Sequence, residues 1–409
     1  MSVFDQTKTT GMPRSTEPSR ACPGCGGRDA TRFYYLADQP VHVGVTYPTA
    51  DDARHAPLAE IDLWYCRGCG LGYNTAFDPA KLNYAPGYDA SLTASAQFMR
   101  FLDAIIDRLI QRYELPGKTV LEVGCGIGHF LRRICERAGC HGIGVDPALP
   151  AEGSEQVGEH TITWVRSAFG PEHAGLPCDL LCGLDMFEHL PEPLIFLRSI
   201  REVLPRAGGT PVYFESPNRD LVFDAEAGWG VYYEQCVHYD LPSIRGLFER
   251  SGFTVTHAGP CELNAQCLSV DAVARPAGEP PSDDTSHLTD ALPANLAEYA
   301  QIQGQRIEDW RQRLAGWADA GREVVLWGSG GKGINFLNTV TGAETIRRVV
   351  DINPARQGRY LPRAAQQIVP PGALTENRPA VVLVSNRLWH DEIASTIKEL
   401  GLDGELIDI

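Results

Sequence analysis

Apolar residues along the middle of the chain alternate between two spacings. "SAQFMRFLDAIIDRLIQRY" sets Phe98, Leu102, Ile105, Ile106, Leu109 and Ile110 on one helical face, and Pro116-Gly117 ends the pattern. Short apolar runs follow: "KTVLEVG", "HGIGVD", "TITWVRS", "CDLLCGLD" and "TPVYFESP" read as strands. "GHFLRRICERAG" and "EPLIFLRSIREVL" read as helices among them. This alternation predicts a doubly wound, mainly parallel sheet. The helix "PSIRGLFERSGF" comes next, and then "TVTHAG" and "LSVDAVAR", close enough to complete the sheet as an antiparallel pair.

Composition then shifts. Residues 276–292 are rich in Pro, Asp and Ser and read as a linker. Past it, a polar helix through "YAQIQGQRIEDWRQRLAGWADAG" leads into a second α/β unit over 293–409, with "EVVLWG", "IRRVVDIN" and "PAVVLVSN" as strands. No short tandem repeat is present. The fold class expected is therefore α/β: a doubly wound, Rossmann-like domain over 86–275, a second Rossmann-like unit after it, and a small cysteine-bearing domain over 21–85. Residues 1–20 lack an apolar core segment and read as a disordered tail. At 409 residues, two or three domains are expected. No apolar run is long enough to span a membrane.

Net charge refines the picture. At −16 the chain carries no broad basic face, which argues against nucleic-acid or anionic-membrane partners. A cytoplasmic enzyme with a small-molecule partner, monomeric or weakly dimeric, is the expectation. Twelve cysteines without a signal segment point to metal ligation or free thiols. Four stand apart: Cys22 and Cys25 in "CPGCGG", and Cys66 and Cys69 in "CRGCGL". Each pair is a C-x-x-C knuckle followed by glycine, and two such knuckles make a tetrahedral site suited to Zn²⁺. With four thiolates and no open position, the ion would be structural. "TRFYYLAD" and "EIDLWYC" would be the strands of a ribbon between the knuckles.

Two glycine loops carry the candidate chemistry. In "LEVGCGIGHFL", Glu122 precedes Gly124, Gly126 and Gly128, and Asp146 ends the next strand in "GIGVDP". His129 breaks the G-x-G-x-x-G form that would bring a helix end to a pyrophosphate. A ligand without phosphates, S-adenosylmethionine, fits better than NAD. Asp146 is placed to accept hydrogen bonds from ribose hydroxyls. The second loop, "WGSGGKG", does match G-x-G-x-x-G through Gly328, Gly330 and Gly333, with Asp351 ending the following strand. It reads as a dinucleotide site, as a phosphate site for another ligand through Lys332, or as a glycine turn kept for packing.

The downstream "CDLLCGLDMFEHLPEP" looks like the fourth-strand segment of class I methyltransferases, a likeness that adds Asp185 to the cofactor-binding set. Knuckles, methyltransferase core, "GSGGKGINFL", "DINPARQGRYLP" and a last strand ending at Asn386 together resemble one three-domain family. It is that of the zinc-binding C-methyltransferases of deoxysugar biosynthesis, and the likeness covers nearly the whole chain from Cys22 onward. The resemblance implies a structural zinc and an acceptor of the nucleotide-linked keto-sugar class, lying in the cleft before the C-terminal domain. It also implies removal of a proton beside the ketone, after which the enolate attacks the cofactor methyl.

The resemblance implies an active-site role for His189 in "FEHLPEP". It matches "VYYEQCVHYDLP" to the family's tyrosine-rich element, with Glu234 at its glutamate and Tyr232 or Tyr233 at its tyrosine. Gln235 departs from the pattern, standing where the family has its proposed base histidine. Glutamine hydrogen-bonds but does not accept a proton near neutral pH. His238, three residues on, has an imidazole of suitable range. His189, or Glu234 with Tyr233, are the other candidates. For an anionic acceptor the nearby cations are Arg219, Lys332, Arg356 and Arg359. The alternatives are an O- or N-methyltransferase on another natural-product scaffold, and an NAD-dependent oxidoreductase using the second loop.

Overall fold

The computed structural model describes residues 17–82, 84, 88, 92–204, 209–224, 228–261, 266–276 and 291–409. The tail expected over 1–20 and the linker expected over 276–292 lie almost wholly outside these residues. No helix among the described residues is long and apolar enough to cross a membrane.

The middle of the chain builds an eight-stranded sheet. Its order is Phe253–Pro260, Cys267–Ala274, Pro211–Pro217, Leu180–Gly183, Thr119–Val123, His141–Val145, His160–Val165 and Gly153–Val157. The five strands from Pro211–Pro217 to His160–Val165 run parallel, and the expected antiparallel pair completes one edge. A parallel sheet is covered on both faces, so its strands are apolar throughout. Val120, Leu121 and Val123 are all buried. One face packs Leu102, Ile105, Ile106 and Leu109 of the helix Ala96–Tyr113 with Phe130, Leu131 and Ile134 of the helix His129–Ala138. The other packs Leu197, Ile200, Ile244 and Phe248 around Phe187 and Phe214. Ser95 starts the first helix by accepting from the Phe98 amide at 3.1 Å. The strand Gly153–Val157 has no counterpart in the sequence expectation. It folds back on His160–Val165 through a turn at Gly158, whose φ is 61°.

The C-terminal unit is an all-parallel sheet in the order Gln367–Val369, Arg348–Val350, Val324–Trp327, Val381–Val384, Glu405–Asp408. The long helix Ala294–Asp319 leads into it. The N-terminal unit is an antiparallel sheet of Ala30–Pro40, Leu58–Cys66 and Gly72–Asn74, with a fourth strand, Val237–His238, donated from the middle of the chain. The three units interlock. Tyr34 meets Tyr299 of the long helix edge-on at 4.9 Å, and Tyr47 and Tyr360 exchange backbone hydrogen bonds of 2.9 and 2.8 Å.

Candidate active site

The first glycine loop joins the strand Thr119–Val123 to the helix His129–Ala138. Gly124, Gly126 and Gly128 take φ of 72°, 54° and 83°, a region that L side chains rarely enter. A Cβ on Gly124 would lie 2.8 Å from Met186, and one on Gly128 would lie 2.3 Å from Trp164. One on Gly126 would meet nothing within 4 Å, so this glycine keeps the backbone open toward the cleft. Asp146 accepts from the Gly126 amide at 2.8 Å and the Ala148 amide at 2.6 Å, which fixes the loop and leaves lone pairs for a ligand. Glu122 is buried, and its Oε2 has no partner. Burial and the nearby Asp146 push its carboxyl up to about 8. Asp185 lines the same end of the cleft, at φ 49°, and accepts a 3.7 Å contact from Cys267 Sγ. Glu122, Gly124, Gly126, Asp146 and Asp185 are thus brought together on one wall, with Gly128 behind them against Trp164.

That wall belongs to a cleft of about 1350 Å³ reaching from the first glycine loop to the second. Glu234 and His189 line it. Glu234 is fully buried; Oε1 lies 3.1 Å from His42 Nδ1, and Oε2 accepts from the Tyr88 hydroxyl at 3.1 Å. His189 pairs through Nδ1 with the Tyr84 hydroxyl at 2.9 Å, and its Nε2 stands 3.6 Å from Glu188. Burial lowers the His189 pKa, with the charge of Glu234 working against that shift. Gln235 also lines the cleft, and its Oε1 has no hydrogen-bond partner.

Four expected site residues fall elsewhere. His238 belongs to the strand that completes the N-terminal sheet, paired with Gly72. Its ring is buried at 5.1 Å from Phe223 and does not line the cleft. Burial, then the Arg219 charge, carry its pKa down to about 3, so the ring stays neutral. His238 is therefore a core histidine and not the base that the sequence suggests. Tyr233 also turns away, its hydroxyl accepting from the Asp78 amide at 2.7 Å. Tyr232 faces the cleft instead. Arg219 is buried against Asp240 and the Gly70 carbonyl, and Arg359 holds Thr46 at 2.7 Å. Neither lines the cleft, whereas Lys332, Arg356 and Arg387 do.

His42, Tyr84, Tyr88 and Arg387 went unmarked in the sequence. The first three come from segments with no periodic signal, and they meet Glu234 and His189 only through the tertiary fold. The local clues are sparse: a histidine in "VHVGVTY" and two tyrosines in "NYAPGYDA".

The second loop is packed by its own chain. Cβ atoms on Gly328 and Gly333 would meet Ser385 and the Gly328 carbonyl at 2.0 and 2.4 Å, and one on Gly331 would meet the Tyr232 ring at 2.6 Å. Asp351 accepts from the Ser329 and Asn353 amides at 2.9 and 2.8 Å. Lys332 and Arg356 bring positive charge to this end of the cleft. Burial and Arg387 lower Lys332 to about 8.

The four knuckle cysteines form a separate cluster, with ligand atoms within 4.8 Å of one another. Cys22 and Cys69 sulfurs are 3.5 Å apart, as are those of Cys25 and Cys66. Tetrahedral zinc–thiolate bonds of about 2.3 Å place sulfurs roughly 3.8 Å apart, so the set fits the ion. The Gly24 and Gly27 amides point at Cys22 and Cys25 sulfurs, each at 3.4 Å, as anionic thiolates require.

A doubly wound sheet whose central strand ends in an acid-flanked glycine loop is the arrangement of a class I methyltransferase. Comparison with known proteins agrees. Residues 94–258 match the family model described as a methyltransferase domain, and 291–407 match the one described as a C-methyltransferase C-terminal domain. Among solved structures, an S-adenosylmethionine-dependent methyltransferase from Aquifex aeolicus is similar at 16% identity, over 48% of this chain and 98% of its own, with a TM-score of 0.34. Magnesium protoporphyrin IX methyltransferase from Synechocystis PCC 6803, with bound S-adenosylmethionine, is similar at 16% identity over 43% and 79%, with a TM-score of 0.32. The cyclopropane synthase MmaA2 from Mycobacterium tuberculosis is similar at 14% identity over 49% and 92%, with a TM-score of 0.33. A search of curated proteins gave no match. The chain is an S-adenosylmethionine-dependent methyltransferase carrying a C-methyltransferase C-terminal domain.

Proposed function

We propose that the enzyme methylates a carbon beside a ketone on a polar, anionic acceptor of the nucleotide-linked keto-sugar class, in natural-product biosynthesis. The observation that carries this is Glu234, a buried carboxylate in the wall of the cleft that also holds the cofactor loop. S-adenosylmethionine, when bound, supplies an electrophilic methyl group. Glu234 takes the proton from the acceptor carbon, and the electron pair left behind forms the new carbon–carbon bond as the sulfur–methyl bond breaks and S-adenosylhomocysteine leaves. The Gln235 amide, with its free oxygen, orients the acceptor. Lys332, Arg356 and Arg387 hold its anionic end. The buried walls keep water from the enolate.

The test supplies thymidine diphosphate keto-sugars with S-adenosylmethionine and locates the new methyl by mass spectrometry and NMR. In deuterium oxide with S-adenosylhomocysteine bound, deuterium should enter the α-carbon. Methylation at oxygen or nitrogen with no exchange would replace this reading with the heteroatom one, which Gln235 favours because it is no base. Calorimetry should show S-adenosylhomocysteine binding and no NAD binding. The four cysteines we assign to one structural zinc. Metal analysis should return about one ion per chain, lost in Cys66→Ser together with thermal stability.

A further inference from the structure

The cysteine-bearing unit lies far from Glu234 in sequence, yet one of its side chains sits directly behind that carboxylate. His42 follows the strand Ala30–Pro40, and its Nδ1 is 3.1 Å from Glu234 Oε1 across 192 residues of chain. The two side chains are 10% and 0% exposed, so water does not stand in for either partner. The second carboxylate oxygen is taken by Tyr88, at 3.1 Å. Glu234 forms part of the cleft wall and His42 does not, so the imidazole reaches an acceptor only through Glu234. The contact therefore acts on the carboxylate and not on the ligand.

Its physical effect follows from burial. A carboxylate without a donor in such a setting takes up a proton and stops being a base near neutral pH. A ring N–H behind it favours the ionised form and fixes which lone pairs face the cleft. The other titratable neighbours do less. Tyr84 and Tyr88 are neutral donors, their hydroxyls raised by burial. His189 is held toward its neutral form by burial, and Glu188 is pushed toward its protonated form by burial. Arg356 acts on the Tyr88 side of the group. We propose that His42 is a positioning residue, and that the proton acceptor is an imidazole–carboxylate unit assembled across the border between the N-terminal and methyltransferase domains. This rests on the reading of Glu234 as the base. It also gives the zinc-binding unit a part in catalysis that its distance from the cofactor loop would not suggest.

The experiment uses the full, zinc-loaded chain with S-adenosylhomocysteine and thymidine diphosphate 4-keto-6-deoxyglucose. It follows α-carbon deuterium exchange against pH by NMR. His42→Phe should move the acid limb of the profile upward by about one pH unit and slow exchange about tenfold at neutral pH. His42→Asn, which keeps an N–H near the Nδ1 position, should return the limb close to wild type. An unshifted limb in His42→Phe overturns the proposal, as does a His42→Asn profile no closer to wild type than that of His42→Phe. If wild type shows no exchange, the acceptor reading fails instead. The inference then stands or falls on the contact itself, followed through the His42 ring ¹⁵N resonances in histidine-labelled protein. Glu234→Gln should move the Nδ1 resonance, and an unchanged Nδ1 resonance overturns the pairing.

Discussion

The two glycine loops share one device and differ in what faces them. Each follows a central strand of a parallel sheet and opens a helix. In each, an aspartate following the next strand accepts one loop amide and the amide two residues on in its own turn: Asp146 from Gly126 and Ala148, Asp351 from Ser329 and Asn353. Each also leaves one glycine, Gly126 or Gly330, with no atom within 4 Å of an added Cβ. At the first loop the opening faces Glu122, Asp146 and Asp185; at the second it faces Lys332, Arg356 and Arg387. Acids dominate the lining at the first loop, whereas the second end sets these three cations among Asp351, Asp391, Glu392 and Asp408. Glycine spacing reports where backbones must come close. The side chains flanking each loop differ more than the glycines do, and at the second loop the Tyr232 ring packs over Gly331.

The largest expected difference lies in the two aspartates. Asp146→Ala removes two amide acceptors and a ligand-facing carboxylate. It should weaken S-adenosylhomocysteine binding about 100-fold, roughly 2.7 kcal/mol. Asp351→Ala should leave that affinity within about twofold while lowering Tm, because it braces the second loop, at the other end of the cleft. Calorimetry on both variants checks this. Comparable losses of cofactor affinity would mean that the two loops serve one ligand.

The boundary between what the sequence discloses and what it conceals follows the range of the interactions. The helix Ala96–Tyr113 and the parallel strands were legible because periodicity and caps are local. So were the knuckles and the aspartate after each loop, which sit at fixed offsets. The fate of "VYYEQCVHYDLP" was not. Val237–His238 leaves the cleft to pair with Gly72 and Tyr73, and no local pattern specifies a partner so distant. His238 looked like a base because a two-residue strand is too short to show which way it turns. The partners of Glu234 lay hidden for the same reason: Tyr88 and His42 are 146 and 192 residues away.

The next difference is one of sign, and amounts to at most about tenfold per pH unit. Burial and Asp146 carry Glu122 from its ordinary 4.5 to about 8, so the folded protein holds a proton that the unfolded chain has released. That stabilisation is complete below 4.5 and is lost as pH rises through about 8. A cofactor that brings hydroxyl and ammonium donors favours the ionised carboxylate and expels the proton. S-adenosylhomocysteine should therefore bind more tightly as pH rises toward 8, and Glu122→Gln should flatten the slope. Lys332 behaves oppositely. Burial and Arg387 lower it from 10.5 to about 8, and an anion favours its protonated form. Thymidine diphosphate should bind less tightly as pH rises past 8, with Lys332→Met removing the dependence. Titration calorimetry across this range reads both slopes, and slopes of the same sign would break the contrast between Glu122 and Lys332.

The smallest effect sharpens the part played by Tyr232. A methyl group added at Gly330 meets nothing within 4 Å, and φ there is −81°, an ordinary value for any residue. One added at Gly331 meets the Tyr232 ring at 2.6 Å. The ring end is free to tilt, so the cost falls on its position in the cleft and not on the fold. Gly331→Ala should shift thymidine diphosphate affinity about two- to threefold, on the order of 0.5 kcal/mol, and leave S-adenosylhomocysteine binding unchanged. Gly330→Ala should change neither, despite its place in the G-x-G-x-x-G spacing. A large loss from Gly330→Ala would show that the loop backbone itself grips the ligand. The small loss from Gly331→Ala alone would mean that it does so through the tyrosine packed against it.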